Sequence, residues 1–173
     1  PRVFNQSCNH LSIKTNKKIY KSKNNKITMG ITIKKYPIII AKGTTINQLV
    51  EAGKYQAVGL NLSNEILNKP IEDTIKKNLY LVRFNKSIGN IWIELNEKRM
   101  IGANLIDLLA FSSQYDDFKK RYLISAVDTM ENAKNHVPCV IKRKNGIKTI
   151  IPTTANLGWG TAWNFLANPF ENN

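Results

Sequence analysis

From Thr28 onward the apolar residues of this chain come in short, strand-length runs cut by Gly, Pro or Asn, and few stretches carry helical spacing. TMGITIKK sets Ile31 and Ile33 on one face and Thr32 and Lys34 on the other, the alternation of a half-buried strand. YPIIIA reads as a fully apolar strand opened by Pro37, whose missing N–H is tolerated at a strand start or a sheet edge. YQAVGLNL, NLYLVRF and NIWIEL are further strand-like runs, the last two joined by NKSIG, a loop of hairpin length. The longest uninterrupted run, PIIIA at residues 37–41, falls far short of the ~20 apolar residues that span a bilayer, so no transmembrane segment is expected.

Helical signals are fewer. In KGTTINQLVEAGKY, Thr45 and Gln48 have capping-box spacing, Ile46, Leu49 and Val50 form the stripe, and Gly53 stands where a left-handed C-terminal residue is favoured. SNEILNKPIEDTIKKN reads as one or two short helices. Pro70 suits a first turn, with Glu72 and Asp73 near its start and Lys76 and Lys77 near its end. MIGANLIDLLAFSSQY is the clearest helix, with Ile101, Leu105, Leu108 and Leu109 on one side. Residues 116–133 fit two patterns: Phe118, Tyr122, Ala126 and Met130 recur every fourth residue, whereas RYLISAV alone is strand-like. CVIKRKNGIKTIIP reads as a hairpin about Asn145-Gly146. Strands and helices without regular βα alternation predict an α+β fold, with a mixed or antiparallel sheet, several helices and a C-terminal β-hairpin.

Residues 1–27 differ in kind. Asn, Lys and Ser interrupt isolated apolar residues, which predicts a basic N-terminal arm or edge segment ahead of a single α+β domain over 28–173. The chain of 173 residues carries a net charge of +14, from 21 Lys and 5 Arg against 12 acids. Lysine abundance alone is weak ground, because 22 Asn and 22 Ile accompany it, as A/T-rich coding would produce. The placement of the acids is more informative. None precedes Glu51, so residues 1–50 carry +10 and the other 123 only +4. Such a surface suits a polyanion.

The hairpin supplies a second basic element. With a two-residue turn at Asn145-Gly146, Arg143 stands opposite Lys148, a like-charge pair that a phosphate backbone would relieve. The bland alternative is a solvated loop. The favoured reading is a protein that binds nucleic acid, DNA or RNA, with low sequence specificity, through Lys17, Lys18, Lys21, Lys23 and Lys26 of the arm and Lys142, Arg143, Lys144 and Lys148 of the hairpin. The alternatives are an interaction or assembly module, of inhibitor or virion type, docking on an acidic protein partner, and a nuclease.

Other constellations carry less. KGTT lies before a helix, where free N–H groups and Lys42 suit an anion, although it is not the GxxxxGK(S/T) phosphate loop. The two Cys and two His fall as Cys8-Asn9-His10 and His136-Val137-Pro138-Cys139, and Cys8, His10, His136 and Cys139 would make the four ligands of a structural zinc. Buried thiols and incidental imidazoles are the plainer account. Cys/His nucleophilic catalysis is disfavoured, because His136 and Cys139 face opposite sides of a strand. Glu94, Glu97 and Lys98 lack the D/E-x-K spacing of metal-dependent nucleases, and Asp107, Asp116, Asp117 and Asp128 read as helix ends or solvated groups. These residues give an enzyme less support than a binding protein. Tyr80, Phe84, Trp92, Trp159, Trp163 and Phe165 are read first as core and only second as base-stacking platforms. Two cysteines cannot form a disulfide framework, and no apolar signal-peptide core opens the chain, so cytoplasmic or intracellular residence is expected.

Overall fold

Pro37, expected to open a strand, instead lies inside one. In the computed structural model, which describes residues 31–59, 62–115, 122–127, 136–154 and 158–170, β1 (Ile31–Ile40) runs unbroken through both strands expected there. It pairs antiparallel with β3 (Ile75–Phe84) from Ile31↔Phe84 to Ile40↔Ile75. Among the described residues β1 is an edge strand, and Pro37 turns its carbonyl outward to the Tyr115 hydroxyl, so the N–H it lacks costs no ladder bond to β3. The arm expected over 1–27 lies outside the described residues.

Between them come α1 (Ile46–Ala52), β2 (Ala57–Val58) and α2 (Asn64–Asn68); after them come α3 (Ile91–Asn96), β4 (Met100–Gly102), α4 (Leu105–Gln114), β5 (Tyr122–Ala126), β6 (His136–Lys142), β7 (Lys148–Thr154) and β8 (Trp163–Pro169). The eight strands form one mixed sheet in the order β1-β3-β8-β5-β6-β7-β2. β4 pairs with β8 on the side opposite β3, since Ala167 is the partner of both Tyr80 and Gly102. β5–β8 and β2–β7 are the parallel pairs. The chain is thus α+β with a mixed sheet, as expected.

Apolar side chains pack on both faces. On one, Ile38, Ile40, Leu79, Ile124, Val140, Ile150 and Leu166 meet Leu108, Leu109 and Phe111 of α4 and Ile46 and Leu49 of α1. On the other, Val82, Phe84, Phe165 and Ala167 meet Ile91 and Leu95 of α3 together with Ile88 and Trp159. Double coverage explains why Asn164–Ala167 of β8 are buried consecutively and why the aromatic tail is a central strand.

Several expectations are corrected. NIWIEL is helical, because the Asn90 side chain accepts from the Ile93 N–H and caps a turn that buries Ile91 and Leu95 four apart; Trp92 therefore lies on α3. No helix follows Pro70. Thr45 and Pro70 form an isolated bridge, and Ile75, Lys76 and Lys77 open β3. Among its described residues, YQAVGLNL contributes the two residues of β2. RYLISAV resolves to strand β5. The Thr45–Gln48 capping box is present, but Gly53 is right-handed and Lys54 takes the positive φ of 52°. A larger residue at 53 would displace Tyr55, because a Cβ there would stand 2.2 Å from its ring.

Candidate functional site

The β6–β7 hairpin is built on a different register from the one a two-residue turn imposes. Lys142 pairs with Lys148, Ile141 with Thr149 and Val140 with Ile150. The Gly146 N–H donates to the Arg143 carbonyl (3.0 Å) and the Arg143 N–H to the Ile147 carbonyl (2.8 Å), leaving Lys144, Asn145 and Gly146 as the loop. Gly146 has φ 84° and Asn145 does not enter the positive region, which excludes a type I′ turn and fits a three-residue loop ending in a left-handed glycine. The Asn145 Oδ1 accepts from the Ile147 N–H and holds the turn.

One residue of register exchanges the faces of β7. Lys148 turns inward and is 3% exposed. Its ammonium donates to the Ser112 carbonyl at 3.0 Å in the last turn of α4, and lies 5.2 Å from the centre of the Tyr55 ring. A helix C-terminus and an aromatic face both favour a cation. Lys148 is thus engaged inside the fold and is not on the surface with its neighbours. Arg143 and Lys144 are exposed and Lys142 is half-buried. The direct like-charge pair is Lys142–Lys148, not Arg143–Lys148.

Strand directions decide what lies beside this tip. Following the pairs across the sheet, Ile31, Phe84, Trp163, Tyr122, Lys142 and Lys148 all fall at one end of it. Residues 1–30 therefore join the described fold at the same end as the hairpin. Tyr122, the partner of Lys142, is also the residue that Lys119, Lys120 and Arg121 precede. The tip and the start of β1 are separated by four strand spacings, about 19 Å. Lys26, five residues before Ile31, is held within about 18 Å of it by the length of the chain alone. Lys17, Lys18, Lys21, Lys23 and Lys26 themselves lie outside the described residues.

The charge of the sheet is one-sided. None of the eight strands contains Asp or Glu, whereas they carry Lys34, Lys35, Lys76, Lys77, Arg83, Lys142 and Lys148. The acids among the described residues all sit on helices, helix ends or the loop before β3. Two of them are neutralised locally: Lys77 pairs with Asp107 at 2.7 Å and Lys86 with Glu94.

At the base of the tip is a shallow depression of about 310 Å³, lined among the described residues by Leu123, Ile141, Lys142, Arg143 and Lys144. Leu123 and Ile141 are cross-strand partners and form an apolar floor under a basic rim. Both were read only as strand residues from the sequence. The signal that marks them is the alternation itself, since Val140 faces α4 and Ile141 must face away.

Comparison with protein families, curated proteins and solved structures found no match to this chain.

The remaining candidates separate cleanly. In KGTT every N–H is already bonded: Lys42 N donates to Thr74 Oγ1, Gly43 N to the Ile71 carbonyl, Thr44 N to the Ala41 carbonyl and Thr45 N to Gln48 Oε1. At the start of α1 itself the capping box takes the Gln48 N–H, which donates to Thr45 Oγ1. Cys139 is fully buried, and burial pushes its thiol up to about 11, away from the thiolate that nucleophilic chemistry uses. His136 is exposed at the start of β6 and three residues away, so the pair does not converge; Cys8 and His10 lie outside the described residues. Among the described residues no three His, Cys, Asp or Glu side chains converge on a metal site. Asp107 is 1% exposed and caps α4, and Asp116, Asp117 and Asp128 lie outside the description. Phe84, Trp159 and Phe165 are core, with ring centres 5.2–6.2 Å apart at edge-on angles. No helix among the described residues is long and apolar enough to cross a membrane.

Proposed function

We propose that this protein binds nucleic acid with low sequence specificity, through phosphate contacts made at the hairpin end of its sheet. The observation that carries the reading is topological: the segment holding Lys17, Lys18, Lys21, Lys23 and Lys26 enters the sheet at Ile31, at the same end as Lys142, Arg143 and Lys144. The point where the basic segment attaches and the basic hairpin thus share one end of one sheet whose strands carry no carboxylate. Phosphates contacted by lysine and arginine release counterions, so charge supplies affinity without reading bases. Arg is scarce, with 5 against 21 Lys, in keeping with point-charge contacts and not with bidentate recognition of guanine. Lys148 is excluded from the binding set because its ammonium caps α4.

The reading is tested by equilibrium binding to a duplex and to a single strand over a salt series. Replacing Lys142, Arg143 and Lys144 together by Gln should reduce the slope of log K against log salt by about two to three units, and weaken binding evenly across sequences. Affinity and slope both unchanged would remove the hairpin from the interface.

A further inference from the structure

We infer that the depression at the base of the hairpin receives an unpaired nucleotide, which makes single-stranded nucleic acid the substrate class of this surface; the inference rests on the nucleic-acid reading above. A surface made only for duplex phosphates needs charge and no apolar recess. Here Arg143 and Lys144, both exposed, stand over Leu123 and Ile141, which are half-buried and belong to neither packed cluster.

The recess lies on the sheet face that α3 and Trp159 cover elsewhere. Trp163, on β8, is the register partner of Leu123, and Leu123 is that of Ile141. The three therefore form a row of half-exposed apolar side chains across adjacent strands, roughly 4.8 Å apart. The Trp163 ring packs edge-on against Trp159, with centres 4.8 Å apart and planes at 84°, so the row ends in an indole.

Cations at the rim and an apolar floor match the two halves of a nucleotide. The phosphate meets Arg143 and Lys144, and the base lies on Ile141 and Leu123. At about 310 Å³ the space is at the small end of ligand-binding clefts, suited to one base and open enough for the strand to continue. A base stacked within a duplex cannot descend to this floor, whereas an unpaired base can. The selectivity of the site is thus for strandedness and not for sequence.

The test compares wild-type protein with three fluorescent oligonucleotides of equal length: a single strand, its duplex, and a single strand carrying abasic sites. The single strand should bind about tenfold more tightly than its abasic counterpart, with the same salt slope, because only the base contribution is removed. Ile141→Ala should lower affinity for the single strand several-fold and leave the duplex unaffected, and Trp163 emission should change on binding the normal strand only. Equal affinity for normal and abasic strands would overturn the inference while leaving phosphate binding intact. Absence of binding to all three probes would overturn the nucleic-acid reading itself.

Discussion

Lys148 brings a charged ammonium into a site that is 3% exposed, and three surroundings make that tolerable: the Ser112 carbonyl, the C-terminal end of α4 and the Tyr55 ring. Burying a cation without such partners is prohibitive. Lys148→Gln should therefore destabilise the fold by about 1–3 kcal/mol, seen as a lowered denaturant midpoint, with the salt slope of nucleic-acid binding unchanged. Arg143→Gln should do the reverse: stability within about 0.5 kcal/mol of wild type and a slope reduced by about one. A second residue-scale prediction concerns Cys139. Its thiol, raised from 9.0 to about 11 by burial, binds its proton more tightly in the folded than in the unfolded chain. Stability from this group is complete below about pH 9 and declines as pH rises toward 11. In a Cys8→Ser background, thiol reagents at pH 8 should label Cys139 only at the rate of unfolding; rapid labelling of the folded protein would contradict its burial.

Among the elements, β1, at the edge of the sheet among the described residues, faces the hazard of an edge strand, whose outer backbone groups can invite another chain. Its defences are specific. Pro37 has no N–H to offer, and the Tyr115 hydroxyl donates to its carbonyl. At Ile39 the Gln114 side chain plays the part of a neighbouring strand, donating to the carbonyl at 2.7 Å and accepting from the N–H at 3.3 Å. Both capping residues lie at the C-terminal end of α4, whose position is fixed by Asp107, held by the Asn104 N–H, Lys77 and Asn168. Gln114→Leu preserves bulk and helix propensity but strips this cover, and Ile39 is 55% exposed. The variant should remain folded and show greater concentration-dependent self-association than wild type by light scattering; scattering unchanged from wild type at high concentration would show that Pro37 and the strand lysines protect the edge unaided.

For the whole molecule, the direction of each strand matters more than the count of charges. Had β6 and β7 run the other way, the same hairpin would lie at the opposite end from Ile31, a sheet length from the point where the basic segment attaches. Removing residues 1–27 should therefore reduce the salt slope further in the hairpin triple-Gln variant, and the two reductions should add, because the contacts are to different phosphates. A deletion with no effect on the slope would detach the arm from the binding surface.

Much was legible from residue order. Alternation in ITIK and the apolar run after Pro37 mark β1, the Thr45–Gln48 pair marks the start of α1, the spacing of Leu105, Leu108 and Leu109 marks α4, and Asn145-Gly146 places the hairpin tip. These are local signals, in which each residue's own neighbours settle its conformation. Tertiary structure decided the rest. NIWIEL satisfies either period, and burial of Ile91 and Leu95 against Val82, Phe84 and Trp159 selects the helix. The hairpin register turns on one residue, which local preference does not fix; burying Lys148 under α4 and Ile150 in the core does. The sequence by itself determined that the first half of the chain is basic and that a basic hairpin exists. Only the strand order and directions brought Ile31, where residues 1–30 join the sheet, to the end that carries the hairpin, because pairing between distant segments is set by core packing and not by any local pattern.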